Sequence, residues 1–175
     1  DTILVPTGTP GYRIGPPLKK MGLRSSDTRE LFFENCRVPA IHRFGAEGMG
    51  LDRILRAAVR HDFPVNMLCW GNVDAGMALI DRHPDARFII DHLGILQPRM
   101  PPAPPQPWAD LPKVLELAKR PNAVIKVSGA CTLSREPYPF PDIWDPLARV
   151  FDAWGFDPCL WGTDWTRAYA VVNYE

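Results

Sequence analysis

The pattern of apolar and polar positions changes character about a third of the way along the chain. From residue 1 to about 45 it consists of short β-like runs punctuated by turns: Ile3-Leu4-Val5, then Thr7-Gly8-Thr9-Pro10-Gly11, then Tyr12-Arg13-Ile14-Gly15. A longer run from Glu30 to Val38 follows the polar Ser25-Ser26-Asp27-Thr28, and together these predict antiparallel sheet with hairpin-like connections. Gly45 to Gly50 reads as a hinge. Beyond it Leu51, Ile54, Leu55, Ala58 and Val59 form a helical stripe. Strands predicted at Pro64–Cys69, Arg87–Ile90, Ala123–Val127 and Cys159–Trp161 then alternate with helices at Val73–Arg82, Leu111–Lys119 and Ile143–Trp154.

Strands alternating with helices imply parallel βαβ units. The strand starts at Pro64, Arg87, Ala123 and Pro158 suit consecutive units of a (β/α) barrel or of an open doubly wound sheet. Only about four such units fit, so a complete eight-unit barrel is excluded by length. The expected fold is therefore α/β: a partial (β/α) barrel over residues 51–175, preceded by a small antiparallel β segment over residues 1–50.

Composition narrows the function classes. Lys plus Arg and Asp plus Glu number 20 each, so no net field draws the chain to nucleic acid or to an anionic membrane, and a small-molecule substrate is the compatible partner. No run of 18 or more apolar residues is present, and the opening Asp1 to Pro6 lacks a signal-peptide pattern. A starting Met is also absent, which suggests an excised, processed or incomplete chain. Cys36, Cys69, Cys131 and Cys159 are widely spaced without a CxxC pair and read as reduced, buried thiols. The prolines concentrate in Pro98 to Pro112, which must be extended there.

If the four strands are parallel, the residues following each share one rim: Cys69-Trp70, Asp91-His92, Ser128-Gly129 and Thr163-Asp164. That set offers an imidazole, two carboxylates, a hydroxyl and an aromatic wall. It suits either one divalent metal held by His92 and Asp164, or metal-free attack of water with Asp164 as general base and His92 as electrophile. Each position also has a plainer reading. A histidine after an apolar strand is often a hydrogen-bonded core residue, and a carboxylate between tryptophans needs only a partner. Trp70, Trp108, Trp144 and Trp154 read chiefly as core, with Trp70 also a candidate for contacting substrate at the rim. Lys126 is either a barrel-interior lysine with a partner or an exposed edge residue. His42, His61 and His83 read as surface residues.

Four motifs in order, Phe63 to Gly71, Ile90-Asp91-His92-Leu93-Gly94, Ile125 to Ala130 and Trp161-Gly162-Thr163-Asp164-Trp165, give residues 56–175 a further meaning. This span resembles the C-terminal half of amidohydrolase-related proteins of the dicarboxylate-lactonase branch. The resemblance implies active-site roles for His92 and Asp164, and a divalent metal such as zinc if one is bound. It carries two departures. The first-strand His-x-His of that family is absent here, and no histidine stands at Leu68 to Trp70. Residues 1–55, through Lys20 to Leu31, Phe33 to Pro39 and Gly45 to Gly50, resemble instead the end of the middle β-domain of acyl-CoA dehydrogenases.

The first resemblance implies a hydrolase acting on a lactone or similar cyclic ester, with Asp164 activating water and Ser128 and Arg167 candidates for holding a carboxylate substituent. The second implies a fragment of a flavin-dependent acyl-CoA oxidoreductase, with FAD as its cofactor. A non-catalytic chimeric fragment is the third expectation, in which the unpaired edges of a half-barrel invite homodimerisation. The families and the absent targeting signals together imply a bacterial cytoplasmic location.

Overall fold

The computed structural model describes residues 1–20, 25–98, 100–164, 168 and 171–172. The chain divides into two compact units, Asp1–Ile54 and Leu55–Glu175, with the boundary inside the first helix, α1 (Gly50–Arg60).

In the first unit, β1 (Tyr12–Pro17) and β2 (Arg29–Phe33) form an antiparallel pair in which Tyr12 faces Phe33 and Ile14 faces Leu31. The Tyr12 and Phe33 rings stack with centroids 5.0 Å apart, and the Arg13 guanidinium lies 3.9 Å from the Phe32 ring centroid. The predicted run at Ile3 survives as one bridge to Arg43. The run to Val38 stops early because the chain turns at Asn35, whose φ of 50° is left-handed. Among the described residues of this unit no apolar side chain is buried, and Leu31, Phe33 and Ile41 are all exposed. Two strands supply one sheet face at most, and this face has no layer of its own unit to close on.

The second unit is built on four parallel strands, β3 (Val65–Met67), β4 (Phe88–Ile90), β5 (Ala123–Val127) and β6 (Cys159–Trp161), arranged in sequence order. The register aligns Met67 with Ile90, Ile90 with Ile125 and Ile125 with Cys159. Helices α2 (Val73–Arg82), α3 (Leu111–Leu117) and α4 (Trp144–Trp154) make the crossovers. The first helix extends to Arg60 and buries Leu55 and Ala58, two positions of the predicted stripe. Pro112 near the start of α3 costs no helical hydrogen bond, and Gly155 ends α4 at a φ of 74°.

Side chains alternate across the sheet, so one face carries Phe88, Ile90, Ala123 and Ile125 into a core shared with Val73, Ile80, Val114, Leu117, Leu147, Val150 and Trp154. The Trp154 indole donates to the Val114 carbonyl at 3.2 Å and ties α4 to α3. The opposite face carries Asn66, Ile89, Val124, Lys126 and Leu160, none of which belongs to that core. An open doubly wound sheet would have helices on both faces. The one-sided cover seen here selects the partial barrel. Among the described residues β3 and β6 are edges, each paired on one side only.

Some expectations need correction. Trp144 is exposed rather than core, because it opens α4 on the solvent side and gives its indole N–H to the Pro139 carbonyl at 3.2 Å. His42 and His83 are half-buried rather than superficial; His83 caps α2, and its carbonyl accepts from the Asn122 amide at 3.2 Å. All four cysteines are free, but only Cys69 is fully buried.

Replacing Ile125 by Ala removes a fully buried side chain at the centre of the sheet and should cost about 2–5 kcal/mol. Urea titration followed by tryptophan fluorescence measures it, since all six tryptophans lie in the second unit. Burial first, and then the Asp91 carboxylate, push the Cys69 thiol up to about 11. The folded thiol stays protonated where the unfolded one ionises. That contribution is therefore complete below the ordinary thiol range and is lost as the pH rises through it toward about 11. The urea midpoint should fall between pH 8 and pH 10.5 more steeply in the unsubstituted protein than in Cys69→Ala.

Candidate functional site

In the continuous register β3 and β4 end level with each other, β5 and β6 run two residues further, and each end is followed by left-handed backbone. Trp70 follows β3 at φ 31°, His92 and Leu93 follow β4 at 51° and 60°, Gly129 follows β5 at 68° and Asp164 follows β6 at 46°. Such turns carry each chain sharply off the sheet. They leave the side chains at the strand ends on the rim, where an α/β barrel places its chemistry.

Three residues meet there. The His92 Nδ1 lies 2.9 Å from the Ser128 hydroxyl and 3.4 Å from Asp164 Oδ2. Ser128 is buried, and the His92 and Asp164 side chains are 20% and 11% exposed, so the contact is largely shielded from water but open on one side. Nδ1 is thus taken up by a hydroxyl and a carboxylate. Nε2 is the ring's remaining polar atom. His92 comes from β4 and Asp164 from β6, with β5 between them, so Ser128 and Gly129 fill the gap.

Gly129 is required at that place. A Cβ there would fall on Gln97 Oε1 and come within 3.2 Å of Asp164 Oδ2, and the left-handed φ adds its own penalty. Gln97, buried to 2% exposure, donates its amide to the His92 carbonyl at 3.2 Å and to the Ser128 carbonyl at 2.9 Å. It clamps the ends of β4 and β5 together. Sequence reading missed this residue. A glutamine between Ile95-Leu96 and Pro98 is a polar group among residues that bury, and that was the available signal.

A second polar group lies on the uncovered face of the sheet. The Lys126 ammonium donates to Asp91 Oδ1 at 2.5 Å and to Asn66 Oδ1 at 3.2 Å. Of the two expectations for Lys126, the partnered lysine on the inner face holds. Its aliphatic stem passes the position a Cβ on Gly162 would take, which also touches the Ser128 Cβ. This group therefore sits directly beside the rim residues.

The remaining candidates are placed as follows. Ser128 spends its hydroxyl on His92, which makes it an orienting group. Trp70 is half-buried at the end of β3, on the strand next to β4. Arg167, like Trp165, lies outside the described residues. Among the described residues no three His, Cys, Asp or Glu side chains converge on a common point. No helix among the described residues is long and apolar enough to cross a membrane.

Gln97→Leu should destabilise the protein by about 1–3 kcal/mol, because it keeps the volume and leaves two buried carbonyls without their donor. The urea midpoint reads the loss. A shift in the His92 imidazole resonances with little change elsewhere would show that the clamp positions the ring.

Comparison with known proteins agrees with this fold. The structure of an amidohydrolase from Burkholderia multivorans with bound zinc superposes with a TM-score of 0.59 at 22% identity, covering 70% of this chain and 44% of that one. A probable 2-pyrone-4,6-dicarboxylic acid hydrolase from Acinetobacter baumannii, with citric acid bound, gives 0.52 at 22% identity, covering 75% and 49%. These likenesses establish the fold, and the chain spans less than half of each solved relative. Short stretches match a second group. Acryloyl-CoA reductase (NADH) of Anaerotignum propionicum is 49% identical over 57 residues, 33% of this chain and 14% of that protein. The mitochondrial short-chain specific acyl-CoA dehydrogenase of Rattus norvegicus is 47% identical over 50 residues, 29% of this chain and 12% of that protein. The sequence pattern of the amidohydrolases, by contrast, matches continuously from residue 23 to residue 167. With most of its length inside that pattern, and a parallel sheet that brings a histidine and an aspartate together at one rim, this chain belongs to the amidohydrolase family.

Proposed function

We propose that His92 and Asp164 form the reactive pair of a hydrolase that opens a lactone or a similar cyclic ester. The observation that carries this reading is the hydrogen bond between His92 Nδ1 and the Ser128 hydroxyl at 2.9 Å, with Asp164 Oδ2 3.4 Å from the same nitrogen. An imidazole fixed through one nitrogen presents the other in a set direction. Asp164 takes a proton from water, and the hydroxide so formed attacks the ester carbonyl. His92 Nε2 donates a hydrogen bond to the carbonyl oxygen as negative charge develops there. The ring C–O bond then breaks, and the proton held on Asp164 passes to the departing oxygen, giving a hydroxy acid or its keto tautomer. The relative from Acinetobacter baumannii, whose described substrate is a cyclic ester with two carboxylates, supports this substrate class.

Zinc is bound in the relative from Burkholderia multivorans. A catalytic zinc site takes three protein ligands and keeps a fourth position open. Among the described residues two such donors come together, His92 Nδ1 and Asp164 Oδ2, 3.4 Å apart. Two donors are one short of that set, and they are the residues that would hold a divalent ion and polarise the ester carbonyl if one were bound; the steps above use the two side chains alone.

Asp164→Asn should lower kcat for lactone opening by about 10²–10⁴-fold with little change in KM, measured by pH-stat titration of the acid released. Unchanged turnover in that variant, or no turnover of any lactone by the unsubstituted protein, would remove this reading.

A second reading rests on the acyl-CoA dehydrogenase matches, whose 57 and 50 residues are about the length of the first unit. Under it the chain carries part of a flavoprotein. The purified protein would then be yellow, with flavin released on denaturation. A colourless protein whose absorption spectrum is unchanged by added FAD counts against it.

A further inference from the structure

We propose that the cavity of about 480 Å³ between the proline-rich segment after β4 and the loop after β5 is the specificity pocket of the hydrolytic site, and that it receives a flat aromatic ring carried by the ester. This rests on the reading of His92 and Asp164 given above.

Position is the first argument. Pro101, Pro102 and Ala103 supply one wall, and the stretch from Cys131 to Phe140 supplies most of the other. Both walls belong to segments that leave the C-terminal ends of neighbouring strands, on the same rim as the reactive pair. One lining residue is bonded to the backbone next to Ser128. Thr132 bonds the Gly129 carbonyl through its backbone N–H at 3.0 Å and its hydroxyl at 2.7 Å, one residue from Ser128. Burial pushes the Cys131 thiol up, and the Asp164 carboxylate adds to the rise, so the floor lies within the electrostatic reach of Asp164.

The second argument is that the pocket is already built. Arg135 crosses from one wall to the other, donating to the Pro104 carbonyl at 3.0 Å and to that of Pro105. Asp142 fixes the turn beneath it by accepting from the Arg135 backbone N–H at 2.8 Å and from the Ser134 hydroxyl. Walls of proline lose little freedom when a ligand enters, so ordering costs are small.

Chemistry supplies the ligand class. The volume falls within the range of small-molecule sites, and the lining includes three prolines, a tyrosine and a phenylalanine. Tyr138 and Phe140 stand edge to face, with centroids 5.9 Å apart and planes at 88°. Tyr138 is 83% exposed, a large aromatic surface presented to the opening. Arg135 and Glu136 are of opposite charge, so the lining gives no net preference for an ion. A ring fused to the lactone would slide between proline and tyrosine faces while its carbonyl reaches His92.

The test compares dihydrocoumarin with δ-valerolactone, which share a six-membered lactone but differ by the fused benzene ring. Tyr138→Ala removes the exposed aromatic wall, and Ala103→Phe fills the cavity. Each should lower kcat/KM for dihydrocoumarin about tenfold more than for δ-valerolactone. Saturation-transfer NMR with dihydrocoumarin and the Asp164→Asn protein should show contact to the benzene protons, lost on adding Ala103→Phe. If both lactones are opened and their ratio is the same in every variant, the pocket is wrong and the hydrolytic reading stands. If neither is opened but the NMR contact appears and is lost as described, the pocket stands and the hydrolytic reading falls. Absence of that contact overturns the pocket whatever the turnover.

Discussion

The arrangement at the rim depends on one buried amide. Gln97 holds the carbonyls of His92 and Ser128 at once, and at those two anchors the chain makes its left-handed turns, at His92 and Leu93 and at Gly129. Left-handed backbone is unfavourable for residues with a Cβ, by roughly 1–2 kcal/mol each. It persists where the surroundings over-determine it. Here the surroundings are the clamp above and the closely packed Ile90, Ile125 and Val114 below. Without the turns, His92 would continue the line of β4 and could not reach across β5 toward Asp164. The missing side chain at Gly129 is the other half of the same constraint, because it leaves the space in which Gln97 and Asp164 approach each other.

The sheet itself is a solution covered on one face. Parallel sheets are normally buried on both faces. In this unit the helices cover one face, while Ile89, Val124 and Leu160 share the other with the Asn66, Lys126 and Asp91 group. Such a face is the inner wall of a barrel, and the polar group on it gives a lysine two acceptors before any ligand arrives. The solved relatives are more than twice as long as the part of them this chain matches, which accounts for a barrel wall that is built but not closed. In the first unit no apolar side chain of the β pair is buried among the described residues.

Much of this was legible in the order of residues. The strands at Ala123–Val127 and Cys159–Trp161 and the helix at Val73–Arg82 stand where the periodicity put them, since β-branched runs and apolar stripes are local signals. The strand expected to reach Cys69 is shorter, because pairing to β4 ends at Ile90 and the chain then turns at Trp70. The single-turn helices at Asp91–Gly94, Ala130–Leu133 and Pro141–Ile143 gave no periodic signal; they are too short to have one. His92 and Asp164 were visible as strand-end residues. Ser128 was visible on the same rim, but that its hydroxyl bonds His92, and that Gln97 holds the rim, was not.

By itself the sequence determined the element order, the change from antiparallel to parallel organisation near residue 50, and the identity of the chemical groups at each strand end. These follow from periodicity and from the rule that parallel strands point their ends the same way. Only the tertiary structure decided which face of the sheet is covered, which of the rim groups touch, and that a glutamine outside the motifs shapes the site together with a glycine and a lysine inside one. Those outcomes depend on strand register and on left-handed turns, which bring residues 36 positions apart, such as His92 and Ser128, to hydrogen-bond distance. No local pattern encodes such distances, because they are set by the packing of elements that are remote in the chain.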